Sequence, residues 1–225
     1  MITECEGIVV KQTKILKGRR MILLLTDRFG KISAGTSVSE RGKSRSALAI
    51  RPFTVGRYQL RKNRGFTDIT SGETVKSYFE LSENYDKFLS ASLAVELTSK
   101  ALPEEAPAGD IYAALIEFLD MMLRRSRNLT TLTNAYMVKL LQAFGVFPEA
   151  NDFRGSELLL TLDSDIVNVL MFLRGNPLSR VEKLALDDEI SARLLRFLIR
   201  YAEAHLDIGR LKSALPLEES SKGQP

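Results

Sequence analysis

The chain has 225 residues, 44% of them hydrophobic, a formal net charge of +4, one cysteine and one histidine. That apolar content supports a folded core. The lone Cys5 excludes an internal disulfide, and with one histidine the count excludes a zinc site of four cysteines or of two cysteines and two histidines. No uncharged apolar run approaches the ~18 residues that cross a bilayer, and the opening residues carry Glu4, Glu6 and scattered lysines rather than a signal-peptide pattern. The expectation is a soluble cytoplasmic protein.

The charge is unevenly spread. Residues 1–80 hold 16 Lys and Arg against 7 Asp and Glu, whereas residues 81–225 hold 16 against 21. Charge alone speaks to solubility, but a cationic module on a mildly acidic body fits a polyanion binder.

Short β-type runs come first. "EGIVVKQT" and "RRMILLLT" are rich in Val, Ile and Leu, and the turn signal "DRFG" predicts a hairpin joining Met21–Thr26 to Lys31–Gly35. The stretch "GTSVSERGKSRSALAIRPF" reads as a mobile cationic loop. "RPFTVGRYQL" follows as a strand, with Pro52 near its start and a bulge or bend at Gly56. "RKNRG" turns into "FTDIT", and "TVKSYFEL" leads out. Five short strands with glycine corners predict a small barrel, for which the OB type is a standard solution; periodicity does not choose it over an SH3-like barrel.

From Ser82 the period becomes helical. Tyr85, Phe88, Leu89, Leu93 and Leu97 form an i, i+3, i+4 stripe that Ser82 is placed to cap. Pro103 and Pro107 close this helix, and Asp110 can cap the next, whose apolar side carries Ile111, Leu115, Phe118, Leu119 and Met122. Tyr136, Leu140 and Phe144 mark a third, with Gly145 at its stop. Further helices are predicted at about 165–174 and 188–207. The expected architecture is α+β: a five-stranded barrel over residues 1–80, an all-α domain over 81–215, and a polar tail, 216–225, that does not fold.

Enzyme chemistry has little support. His205 lies near a helix end, Cys5 in a predicted edge segment, and neither GxxxxGK[ST] nor GxGxxG occurs. Glu104 with Glu105, and Asp187 with Asp188 and Glu189, fall where linkers and helix N-termini favour negative charge. The cationic loop survives this elimination, because Lys and Arg neutralise phosphates and guanidinium matches them bidentately. Phe29, Phe53, Tyr58 and Phe66 interleave with the basic residues and could stack on bases, although at least half should serve the barrel core.

The order of segments resembles the RecO family of bacterial recombination mediators. The likeness runs through "EGIVV", "LTDRFGKISAGTS", "RGKSRSALAIRPF", "LLQAFGVFPEANDF" and "FLIRYAEAHLDIGRLKSAL". It implies an OB-fold that binds single- and double-stranded DNA and anneals complementary strands. It also implies RecR as partner, a helical domain that contacts the C-terminal tail of single-strand-binding protein, help in loading RecA, no nucleotide hydrolysis and a nucleoid-associated place in the cytoplasm. The DNA contacts expected on this likeness are Arg41, Lys43, Arg45, Arg51, Arg19, Arg20 and Lys31, then Arg57 and Arg61. An acidic tail with a hydrophobic tip calls for an apolar pocket ringed by cations; the candidates are Arg124, Arg125 and Arg127, and Arg193, Arg196 and Arg200 on the last long helix. Many relatives carry a cysteine zinc module after the "LLxxxGxxP" segment. "EANDFRG" offers no cysteine for one, so no cofactor is expected. The rival reading is an RNA-binding or ribosome-associated OB protein without enzymatic activity.

Overall fold

The computed structural model describes residues 2–15, 19–37, 45–63, 65–148, 162–181 and 184–216. The chain divides into two compact units, Met1–Asn84 with Leu102–Ala113, and Tyr85–Ala101 with Ala114–Pro225.

In the first unit β1 (Ile2–Lys14), β2 (Arg20–Thr26), β3 (Gly30–Thr36), β4 (Thr54–Asn63) and β5 (Phe66–Ser77) close a barrel in the order β1-β2-β3-β5-β4. β1 serves two neighbours: its first half pairs with β4 and its second with β2, and a bulge between Val9 and Lys11 bends it. β3 runs antiparallel to β2 and meets β5 in parallel at Gly35 and Asp68. A short helix, α1 (Arg45–Ala49), lies between β3 and β4. This order is that of the OB barrel, which settles the choice that periodicity left open. Val9, Ile22, Leu24, Tyr58, Leu60 and Ile69 fill the core.

The hairpin at "DRFG" forms as expected. Gly30 takes the left-handed backbone the three-residue connection needs (φ +64°), while the Thr26 hydroxyl accepts from Phe29 N and donates to Gly30 O. At Gly56 the β4–β5 register shifts, as its position suggested. Two expectations change. "FTDIT" and "TVKS" are one strand, β5, continuous through Gly72; "FELSE" then forms a 3-10 turn, Phe79–Glu83. The end of the stretch read as a loop is α1, and Ala47, Ala49 and Ile50 are fully buried. The run "ALAI" is apolar enough to plug the barrel, and that outweighs the polar residues before it.

The segment Leu102–Ala113 belongs to the barrel unit. Glu105 N donates to Lys31 O at 3.0 Å, and the Tyr112 hydroxyl donates to Glu6 Oε1 at 3.2 Å. Gly30 also makes room for this segment, since a Cβ there would lie 1.9 Å from Ala106 O.

The helices are α2 (Tyr85–Ala101), α3 (Gly109–Arg124), α4 (Leu129–Ala143), α5 (Ser164–Gly175), α6 (Leu178–Val181) and α7 (Asp188–His205). α4 is the centre of the second unit, buried from Thr131 to Val138 and again at Leu140 and Leu141, with α2, α5, α6 and α7 against it. Two buried polar residues of α4 reach Ser191: Thr131 bonds its hydroxyl at 3.0 Å and Asn134 Nδ2 donates to its carbonyl oxygen at 2.9 Å. Gly145 follows α4 at φ +69°, the left-handed stop anticipated there. Asp187 caps α7 through Glu189 N and Ile190 N.

The α2 stripe is corrected. Ser82 lies in the 3-10 turn and donates to Phe79 O instead of capping α2. Tyr85 and Phe88 are 64% and 39% exposed. Burial starts at Leu89 and takes in Ser90, Ala91, Thr98 and Ser99, so the helix is enclosed on several sides by small residues rather than along one apolar stripe. Among the described residues no helix is long and apolar enough to cross a membrane. Of the tail, residues 217–225 lie outside the described residues.

Candidate nucleic-acid interface

A cavity of about 670 Å³ lies along the outer face of β3. Alternation along that strand brings Lys31, Ser33 and Gly35 to its floor, with Met21 of β2 beside them. Ile15 and Arg19 wall it from the β1–β2 connection, and Asn63, Phe66 and Asp68 from the β4–β5 turn. A groove on strands 2 and 3 between these two connections is where OB barrels take oligonucleotides.

Of the four candidate aromatics the structure selects one for this groove. Tyr58 is wholly in the core, Phe29 packs against the core, and Phe53 is half-buried. Phe66 is 74% exposed and lines the cavity beside Ile15, itself 40% exposed.

The cations divide. Arg19 and Lys31 line the groove; Arg19 Nη2 meets Asp68 Oδ1 at 2.5 Å. Arg20 opens β2, opposite Lys14 and Thr36. Arg51 is exposed just after α1, its N–H donating to Leu48 O. Arg57 and Arg61 are exposed on β4; Arg57 stands in register with Glu6 and Glu73, Arg61 with Ile2 and Asp68, and neither lines the groove. Arg41 and Lys43 lie outside the described residues, and Arg45 is described only as the first residue of α1.

Among the groove residues with no signal in the basic pattern are Asn63, Asp68, Glu104 and Glu105. The "KNRG" turn could have pointed to Asn63. Nothing local could have pointed to Glu104 and Glu105, which reach the groove from beyond the barrel's strands.

In the second unit a cavity of about 470 Å³ is lined by Arg193, Arg196 and Arg200, with Phe197, Tyr201 and Leu162 among its apolar surfaces. Arg193 Nη2 is paired with Asp163 Oδ2 at 2.5 Å. On the other side of Tyr201 a cavity of about 400 Å³ is lined by Arg174, Gln142, Val146 and Phe147. Lys139 bonds Arg174 O at 2.7 Å, and burial together with the Arg174 charge pulls its ammonium below the usual lysine range. The structure therefore joins Arg196 and Arg200 at one cavity, which the first cluster does not line. Arg124 ends α3 and Arg127 is exposed, while Arg125 bonds Arg127 O at 2.7 Å within its own turn and Leu184 O at 3.4 Å in the segment before α7.

Burial, with Asp27 adding, pushes the Cys5 thiol up to about 12, which leaves it un-ionised at neutral pH. His205 stacks on Tyr201 with ring centroids 3.9 Å apart at the end of α7. Among the described residues no group of three His, Cys, Asp or Glu could hold a metal ion. The "EANDFRG" segment, compared above with the zinc module of relatives, lies outside the described residues.

The family described as "Recombination protein O N terminal" matches residues 1–78, and "Recombination protein O C terminal" matches residues 82–152. The chain belongs to the RecO family. RecO proteins named "DNA repair protein RecO" from Bacillus subtilis and Bacillus velezensis are each 28% identical over 153 residues, 67% of this chain and 59% of theirs. That of Listeria innocua is 26% identical over 145 residues, 64% of this chain and 56% of its own length. The matched part thus spans under two thirds of these RecO proteins.

Proposed function

We propose that this RecO-family chain is a DNA-binding mediator of recombinational repair with no catalytic chemistry of its own. The groove on β3 takes a few bases of a single strand, the basic stretch leading from β3 to the start of α1, with Arg41, Lys43 and Arg45, follows the phosphates, and the helical unit receives protein partners. The observation that carries the reading is Phe66, a large aromatic held 74% exposed at the mouth of a groove that also presents Arg19 and Lys31. A stacked base contributes ~1–3 kcal/mol, enough to justify leaving a phenyl ring in water. The groove from Lys31 to Gly35 is about 13 Å long at ~3.3 Å per residue, so further phosphates must be held outside it.

On this reading the chain anneals complementary strands and, with RecR, helps load RecA onto strands coated by single-strand-binding protein. The Arg196–Arg200 cavity suits that protein's acidic C-terminal tail, because Phe197 and Tyr201 offer an apolar surface and the arginines a carboxylate partner.

A two-strand annealing assay, with and without single-strand-binding protein, tests the proposal. Annealing should persist in EDTA, magnesium should produce no cleavage, and matched DNA should outcompete RNA. Reversal of Arg41, Lys43 and Arg45 to Glu should weaken DNA binding and flatten its salt dependence by about 0.7 in log–log slope for each phosphate no longer neutralised. Unchanged salt-dependent affinity in that variant removes the loop from the mechanism.

A further inference from the structure

We propose that the barrel groove is occupied by its own carboxylates, so that a nucleic-acid strand enters by displacing Asp68 from Arg19 and Glu105 from Lys62. The inference rests on the groove being the nucleic-acid site. The Arg19–Asp68 pair and Glu105 line it, and Lys62, which holds Glu105, lines the adjoining cavity with it. The Arg19–Asp68 pair lies over β3: a Cβ added to Gly35 would come within 2.8 Å of Asp68 Oδ1 and 3.0 Å of Arg19 Nη2. Gly35 is thus the bare floor on which the pair rests, where a bound strand would run. Lys62 Nζ meets both oxygens of Glu105, at 2.9 and 2.7 Å, and Glu104 lines the groove beside Glu105.

The second carboxylate is positioned by backbone structure. Glu105 N is bonded to Lys31 O, residue 104 bridges to Lys31, and the Ala106 carbonyl sits over Gly30. Glu105 itself has φ +54°, a left-handed backbone that disfavours any residue with a Cβ. The fold tolerates that conformation and places a glycine at position 30 to bring this segment against β3. The result is a groove whose lining cations, Arg19 and Lys31, face three carboxylates, Asp68, Glu104 and Glu105.

Both pairs remain open to water, with side-chain exposures of 50% and 28% for Arg19 and Asp68 and 58% for each of Lys62 and Glu105. Exposed pairs of this kind are individually weak, so a phosphodiester can exchange for either carboxylate without unfolding anything. The exchange has a signature. An Arg or Lys with its carboxylate alongside offers DNA no net charge and releases few of its counterions. Converting the carboxylate to an amide restores one positive charge per site.

Fluorescence anisotropy with a mixed-sequence single-stranded DNA oligonucleotide, titrated across salt, distinguishes the possibilities on the full chain. Asp68→Asn with Glu105→Gln should bind about threefold to tenfold more tightly at low salt and steepen the log–log slope by about 0.7 for each site restored. Glu105→Gln alone, on an exposed side chain, should give about half of that slope change and covers the case in which Asp68→Asn disturbs β5. Arg19→Ala and Lys31→Ala should weaken binding. If those two weaken it while the amide variants neither tighten binding nor steepen the slope, the groove remains the nucleic-acid site and the displacement proposal is overturned. If Arg19→Ala and Lys31→Ala leave binding unchanged, both fall.

Discussion

Tyr58→Phe removes one atom from the barrel core, and the structure makes its cost calculable. The Tyr58 side chain is fully buried, and its hydroxyl donates to Ala49 O at 2.5 Å, fastening the end of α1 to β4. Burial, with the nearby Cys5 adding, raises its phenol well above the usual range, so it remains a donor at any working pH. The ring fills space that two glycines leave open. A Cβ at Gly56 would lie 2.7 Å from the Tyr58 hydroxyl oxygen, and one at Gly72 3.1 Å from the ring. Without the hydroxyl the Ala49 carbonyl is left buried with no replacement donor from this side chain, a loss of about 1–3 kcal/mol. With an m-value of about 2 kcal/mol/M the urea midpoint falls by about 0.5–1.5 M. Circular dichroism measures the midpoint, and hydrogen exchange over residues 45–50 should show earlier opening of α1. An unshifted midpoint with unchanged exchange would refute the claim that this hydroxyl fastens α1 to the barrel.

Gly30→Ala combines a positive φ with a Cβ position 1.9 Å from the Ala106 carbonyl, so it should destabilise the barrel unit by about 2 kcal/mol or more; denaturant unfolding checks this. Cys5 should resist a thiol reagent in the native protein and react on unfolding, because it is 4% exposed and its thiol is pushed up to about 12; absorbance of the released thiolate measures the rate. Glu96 accepts from Lys212 N at 3.1 Å and Ser213 N at 2.8 Å. Burial raises its pKa, but these bonds with those from the Ser213 and Lys100 side chains outweigh it and hold the carboxyl below its ordinary 4.5. A depressed folded value means that its contribution is complete above pH 4.5 and is lost as the pH falls through the lower folded value. Glu96→Gln should therefore reduce neutral-pH stability and remove that part of the acid-side decline, as read from urea midpoints at several pH values.

The barrel is largely legible because alternation in β1 to β4 and the "DRFG" corner are local features. β5 reads as two runs because "TSGET" carries turn residues, yet Gly72 is there to clear the Tyr58 ring, a reason that exists only in three dimensions. α1 is hidden for a related reason, since "ALAI" is short and follows a polar, basic run. In α2 the large aromatics at the start suggest a stripe, whereas the buried surface is made by Leu together with Ser, Ala and Thr, whose small side chains leave little periodic signal. The cations of the candidate site are visible in composition; their partners are not. Asp68 lies 49 residues from Arg19, and Glu105 lies 43 from Lys62. An acidic pair between two prolines reads as a linker until the backbone bond from Glu105 to Lys31 places it on β3.

That placement changes how the excess positive charge of residues 1–80 must be used. The groove is electrically near balance, so the surplus resides elsewhere: on exposed Arg51, Arg57 and Arg61 and in the basic stretch beyond β3. A groove near neutrality until its carboxylates are displaced, with an exposed phenyl ring, is suited to bases and the few phosphates between them, and a cationic periphery to the remaining phosphates. The two proposed roles separate experimentally. Phe66→Ala should lower affinity at every salt concentration by a similar factor, since stacking is not screened, at a cost of ~1–3 kcal/mol. Charge reversal of Arg41, Lys43 and Arg45 should instead lose most affinity at low salt and little at high salt. Parallel losses across salt for both variants would mean that bases and phosphates share one surface, and the division of labour between groove and loop would have to be abandoned.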